Sequence, residues 1–362
     1  MTRISFGIIV LNGEPFLSYL IEALYPFAHQ IIFSEGASHN ASHACRPDGH
    51  SLDGTLEKLM DISKFQDTEK KIIIVTAEDE GHTNGFWPGE KDEQSKAYAK
   101  RATGEYLWQV DIDEFYKSED IQAIIDMLER DPSITSITFP EIPFWGWFDI
   151  YCDGPYLRMY YSQFHRLFKW GPGYEMTTHR PPTVIDNLGR DLRKVNWIQS
   201  QEMAKKGIFL YHYTQIFPIQ VQFKMNYYEN LIKNTKGQEI IKNVPGWLKN
   251  TYGDLKDPFH VHTVNTQPSW LVKYEGSHPS QIYELLEDIK ESKLIVNLRD
   301  MSDVYLIINS FRYKAIIFCL KSWTNFVTQP INLCKDLIKK RLTFFEFVIK
   351  TIQFITFKKR IF

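Results

Sequence analysis

The chain has 362 residues, 43% hydrophobic and 24% charged, with a net charge of −2; these values exclude a disordered polymer and give no ground for a nucleic-acid partner. Its four cysteines, Cys45, Cys152, Cys319 and Cys334, form no CxxC pair, which argues against a structural zinc site or disulfide framework and for a reducing, cytoplasmic compartment. The first residues make a poor signal peptide, and no run of 18 uninterrupted apolar residues suggests a spanning helix.

The opening run Ile4–Leu11 is continuously apolar, as suits a strand buried on both faces. Asn12-Gly13-Glu14-Pro15 punctuates it, and Phe16–Leu24 carries helical apolar spacing. A second strand spans Gln30–Ser34, followed by a polar loop rich in His, Asn and Gly up to Thr55. Leu56–Ile62 reads as helix, Lys71–Thr76 as strand, and Glu93–Thr103 as a helix stopped by Gly104. Glu105–Ile112 is then a strand, Ile121–Leu128 a helix with Ser118 as N-cap, and Ser133–Phe139 a strand. This β-α-β order predicts an α/β fold: a mostly parallel mixed sheet flanked by helices, with ligands beyond the carboxyl ends of its strands. From 140 to about 215 the pattern turns irregular and aromatic, Gln220–Asn234 returns to helix, and so does Ile282–Glu291.

Chemistry concentrates at Asp111-Ile112-Asp113, where an apolar strand ends in two acids. With 21 Asp in the chain, chance supplies about one such pair, so placement at a strand's carboxyl end carries the signal. Two carboxylates about 5 Å apart repel by roughly 3 kcal/mol at an effective dielectric near 20. A bound Mg²⁺ or Mn²⁺ would remove that repulsion and complete its oxygen shell with substrate phosphates. Gly13, Gly36 and Gly54 form neither GxGxxG nor GxxxxGK[ST], so neither a dinucleotide nor a P-loop site is expected.

Over roughly residues 3–215 the chain resembles the glycosyltransferase family 2-like group with the GT-A fold. The likeness rests on Ile8–Glu14, on Ile31–Ser38 with the later Asp53-Gly54-Thr55, and on Ala102 through Asp113. It implies a nucleoside-diphosphate-sugar donor, transfer with inversion, and Mn²⁺ or Mg²⁺. It also implies that Asn12 and Glu14 border the nucleotide pocket, that Glu35 contacts base or ribose, and that Asp53 belongs to the same donor-binding set. Asp111 would face ribose or metal, and Asp113 would ligate the metal directly.

His212, in Phe209-Leu210-Tyr211-His212-Tyr213, is a candidate third metal ligand or else a core residue. Glu175 and Glu141 lead the candidates for catalytic base, followed by Asp149 and His179. Lys91 is the better phosphate contact, Arg101 the solvated one, and the aromatic block 144–148 is either an acceptor platform or core.

Residues 301–362 hold 11 Lys/Arg against 3 Asp/Glu. Within them Leu342–Phe357 is apolar save a narrow face of Glu346, Lys350 and Gln353, as suits a helix lying in a membrane interface. The expected organisation is a GT-A domain over 1–260, a partly helical connector over 261–310, and a basic amphipathic helical extension over 311–362. The protein would then be peripheral on the cytoplasmic face of the membrane, acting on a cell-envelope glycan or lipid-linked saccharide. Two rival readings are a phosphatase-like metal-dependent phosphoryl-transfer enzyme and an inactive sugar-nucleotide-binding membrane partner.

Overall fold

A computed structural model describes residues 2–89, 91–158, 164–234, 244–262 and 268–328. In chain order the first half runs β1 (Ile4–Val10), α1 (Leu17–Leu24), β2 (Gln30–Glu35), α2 (Thr55–Phe65), β3 (Ile72–Val75), α3 (Lys91–Arg101), β4 (Tyr106–Asp111), β5 (Glu114–Phe115), α4 (Ser118–Arg130) and β6 (Ser136–Phe139). Then follow β7 (Glu141–Trp145), β8 (Trp147–Asp153), α5 (Pro155–Arg158), β9 (Phe164–Lys169), β10 (Glu175–His179), β11 (Pro182–Ile185), β12 (Trp197–Ile198), α6 (Ser200–Lys205) and β13 (Leu210–Gln215). Among the described residues, the rest of the chain holds α7 (Pro218–Asn234), α8 (Val244–Trp247), β14 (Trp270–Lys273), α9 (Ser280–Lys290), α10 (Ser302–Asn309) and α11 (Phe311–Thr328).

The main sheet has the order β12-β6-β9-β4-β1-β2-β3. Its pairings are parallel except at β9, which runs antiparallel to both neighbours. This is the expected α/β class, a mostly parallel mixed sheet flanked by helices. Every residue of β1 is buried, because helices cover both faces. On one face α1 and α4 bury Leu17, Leu20, Ile121 and Ile124 against Phe6, Ile8 and Trp108. On the other, Tyr98 of α3 lies so close to Gly7 that a Cβ there would sit 2.3 Å from the ring. Ser118 is the first residue of α4 rather than its cap, and Lys117 precedes it without a side-chain capping bond.

The stretch read as irregular holds β7 through β13. The buried Phe144, Trp145 and Phe148 pack in the core rather than forming an exposed platform. A second sheet, β14-β8-β7-β13-β5, stands beside the first. The segment expected as a connector belongs to this body. β14 pairs antiparallel with β8, and α9 docks on α1, where the Tyr19 hydroxyl donates to Asp288 at 2.6 Å. The first part of the basic extension packs here too. Tyr313, Ile317 and Leu320 of α11 are buried, and the Tyr313 hydroxyl donates to the Leu271 carbonyl at 3.0 Å. The amphipathic stretch Leu342–Phe357 lies outside the described residues. Among the described residues, no helix is long and apolar enough to cross a membrane.

Candidate functional site

One pocket opens beyond the carboxyl ends of β1, β2 and β4, where such sheets place their ligands. Asp111, Ile112 and Asp113 form its floor, and Asn12, Ala37, Ser38, Ala41 and Ala44 one wall. Lys91, Arg180, Phe223, Lys224, Tyr227 and Tyr228 form the opposite wall.

Short polar contacts set the first wall. Asn12 adopts φ 56°, a left-handed conformation that Asn tolerates. Its amide donates to the Ala44 carbonyl at 2.6 Å and accepts from the Leu52 amide at 2.7 Å. Glu35 turns away from the pocket. It accepts from the Ser51 amide at 2.9 Å and the Ser51 hydroxyl at 2.7 Å, and meets His50 Nδ1 at 2.7 Å. Gly36, at φ +113°, carries the chain past this knot to line the pocket. Asp53 is also structural, accepting from the Thr55 amide and hydroxyl and from the Glu14 amide. Glu14 pairs with Lys58 at 2.7 Å. Of the expected donor-site residues, Asn12, Lys91 and Asp111 therefore line the pocket, whereas Glu14, Glu35 and Asp53 brace the loops behind it.

The opposite wall comes from three separated elements. Lys91 begins α3, which is held to the sheet by Gln94 donating to the Gly36 carbonyl at 2.9 Å. Arg180 stands at the tip of the β10–β11 hairpin, exposed at the mouth. There its guanidinium lies 5.6 Å from the Tyr228 ring and 5.9 Å from that of Tyr227. The hairpin is pinned to α3, because the His179 amide donates to Asp92 at 2.6 Å and His179 Nδ1 meets the Ser95 hydroxyl at 2.9 Å. Lys224 projects from α7, whose Gln220 amide donates to the Glu14 carbonyl at 2.8 Å.

The acids of the floor are already compensated. Arg166, buried on β9, donates through Nε to Glu114 at 2.9 Å, pairs again with Glu114 through Nη2, and reaches Asp111 at 3.1 Å. Burial alone would raise the Asp111 pKa, but Arg166 and then Lys91 outweigh it and hold the carboxyl well below its usual range. Asp113 is likewise held low against its burial, first by His212 and then by Lys224. His212 Nε2 lies 3.4 Å from Asp113, Lys224 Nζ lies 3.9 Å from it, and His212 Nδ1 pairs with Glu141. Burial disfavours the imidazolium, yet Asp113 and Glu141 raise its pKa to about 10.

These contacts bear on the expected metal site: Asp111 already faces Arg166, and Asp113 faces Lys224. Among the described residues, no group of three or more His, Cys, Asp or Glu is arranged to hold a metal ion. As placed, the set Asp111, Asp113 and His212 does not fit a divalent cation.

The expected bases lie elsewhere. Glu175 is exposed at the far end of β10 from His179 and does not line the pocket. Glu141 is buried behind His212, and Asp149 accepts from the Tyr305 hydroxyl at 2.8 Å. His179 is buried and neutral, its pKa pushed well below the ordinary value by burial and then by Lys91. Arg101 pairs with Glu80.

Arg166, Arg180 and Lys224 were not legible as site residues. The one local signal is a lone charge among apolar neighbours, as in Phe164-His165-Arg166-Leu167-Phe168 and Val221-Gln222-Phe223-Lys224-Met225.

No protein-family model matches the chain, and no curated protein matches it. Among solved structures, S. aureus TarS is similar at 14% identity and TM-score 0.28, over 39% of this chain and 22% of that one. TarS 1-349 in complex with UDP is similar at 11% identity and TM-score 0.35, over 66% and 67% of the two chains. Glucosyl-3-phosphoglycerate synthase from Mycobacterium tuberculosis, solved with Mn²⁺, UDP and glucosyl-3-phosphoglycerate, is similar at 15% identity and TM-score 0.27, over 40% and 44%. This chain therefore spans less than a quarter of the first of these and less than half of the last. A likeness of this depth describes neither substrate nor mechanism, and the chemistry of the pocket rests on its own residues.

Proposed function

We propose that the chain is a glycosyltransferase that takes a nucleoside-diphosphate sugar into this pocket and transfers the sugar to an acceptor hydroxyl. One observation carries the reading: Lys91, Arg180 and Lys224 converge on a pocket at the carboxyl ends of central parallel strands. The field of these cations is felt within the pocket. Burial pushes the Tyr228 phenol up, but Arg180, Lys224 and Lys91 together draw it below its usual value. A diphosphate placed among them gains charge-assisted hydrogen bonds, while the wall from Asn12 to Ala44 offers small residues and backbone to a nucleoside.

A phosphatase-like reading is disfavoured by the engagement of both aspartates with Arg166, Lys224 and His212, which leaves neither free as a nucleophile. For the acceptor, a cell-envelope or lipid-linked saccharide presented at a membrane surface is favoured by the basic excess of residues 301–362. Leu306, Phe311 and Phe318 of α10 and α11 add to this, being 70%, 86% and 72% exposed.

The test is a thermal-shift panel of nucleoside diphosphates and their sugars. At least one base should raise the unfolding midpoint by several degrees, the shift expected of a ligand at about a hundredfold its Kd. If no member of the panel moves the midpoint, the reading fails.

A further inference from the structure

The charge balance of the floor and the opposite wall together say how the diphosphate is held. Two aspartates side by side call for a cation, and that requirement is the sequence-level argument for a divalent metal. In the folded chain two protein cations stand beside the acids, Arg166 at 3.1 Å from Asp111 and Lys224 at 3.9 Å from Asp113. A divalent ion bridging both acids would sit next to the charges of both.

The other requirement, positive charge facing the donor, is also met by the chain. Among the described residues, neither Lys91 nor Arg180 has a carboxylate partner, although both line the pocket. Lys91 is half-buried, and its pKa is lowered by burial and by the nearby Arg180, so like charges repel one another within the pocket. An anion relieves that repulsion. Lys224 stands between the two functions, close to Asp113 and open to the pocket.

We propose that Lys91, Arg180 and Lys224 form a diphosphate-binding subsite that works without a divalent cation. In it Arg166 and Lys224, not a metal, balance the charge of Asp111 and Asp113. The inference rests on the nucleotide-sugar reading of the same pocket and specifies its chemistry. Each of the three side chains comes from a different element, so the subsite exists only when α3, the β10–β11 hairpin and α7 are packed together.

Titration calorimetry on the full chain, with UDP, GDP, ADP and inorganic pyrophosphate as probes, tests this in EDTA and again in excess MnCl₂. The probe that binds should do so with affinities equal to within about threefold in the two media, since no metal-held contact is involved. Lys91→Gln and Arg180→Gln should each weaken binding in EDTA by about tenfold or more, the loss expected for one charge-assisted contact. Among the described residues neither has a carboxylate ion pair to lose, and an unchanged thermal midpoint will confirm that both variants fold.

Asp113→Asn separates the alternatives. A metal-held site would lose binding, whereas a cation-held site keeps or strengthens it, because an anion near the phosphates is removed. Binding that appears only with Mn²⁺, or that vanishes in Asp113→Asn while surviving Lys91→Gln and Arg180→Gln, overturns the proposal. If no probe binds in either medium, the donor-site reading itself falls and takes this inference with it.

Discussion

Replacing Arg166 tests whether the floor of the pocket is a single electrostatic unit. Arg166 is 5% exposed and Glu114 is fully buried, so water screens their interaction little. At 2.9 Å between Nε and the carboxylate, the attraction is about 6 kcal/mol at an effective dielectric near 20. Glu114 also accepts from the Asp111 amide at 3.1 Å, which ties the ion pair to the end of β4. Arg166→Met leaves Glu114 buried without a counter-ion and frees Asp111, and should cost about 3–5 kcal/mol. Glu114→Gln alone should cost less, about 1–3 kcal/mol, because Arg166 keeps Asp111 as a partner. The informative measurement is the double variant in urea denaturation followed by tryptophan fluorescence. Adding Glu114→Gln to Arg166→Met removes the stranded charge and should restore at least about 1 kcal/mol. If Arg166→Met costs less than about 1 kcal/mol, or if the two losses simply add, the acids are not held by Arg166 and the reasoning is wrong.

Two further outcomes are expected. Burial, with Glu119 adding to it, raises the Asp120 pKa to about 6, so its carboxyl is most compatible with the fold when protonated. The penalty is absent below pH 4, grows as pH rises through 4–6, and is complete above 6. Asp120→Asn should therefore stabilise the chain at pH 7.5 by about 1 kcal/mol, after loss of the favourable helix-start charge, and leave the midpoint unchanged at pH 4; an equal effect at both pH values would refute the assignment. The basic C-terminal region should bring the full chain down with phosphatidylserine vesicles in a salt-sensitive way, and a chain ending at 328 should lose most of that binding. Equal sedimentation of the two would remove the membrane from the account.

Much of the main sheet was legible because β1, β2 and β4 are buried on both faces and read as continuous apolar runs ended by polar turns. The second sheet was not. β5 and β14 span only two and four residues, and β7 and β13 interleave the polar Glu141, His212 and Thr214 with aromatic residues, so neither reads as a plain apolar run. Glu35 and Asp53 were recognised as acids at the right places, yet their work is to hold Ser51, His50 and Thr55. A carboxylate at a strand end looks the same in sequence whether it faces a ligand or a loop.

The sequence by itself determined where the pocket lies, since the apolar run of β4 ends at Asp111 and parallel strands open at their carboxyl ends. Only the tertiary structure decided what charge the pocket carries. Arg166 arrives on the antiparallel strand of the main sheet, Arg180 on a hairpin tip and Lys224 on a helix, each far along the chain from Asp111 and Asp113. Helices and strands write their periodicity into local sequence because it follows from repeating backbone geometry. Charge compensation acts through space between segments that meet only after folding, and it has no local period to read.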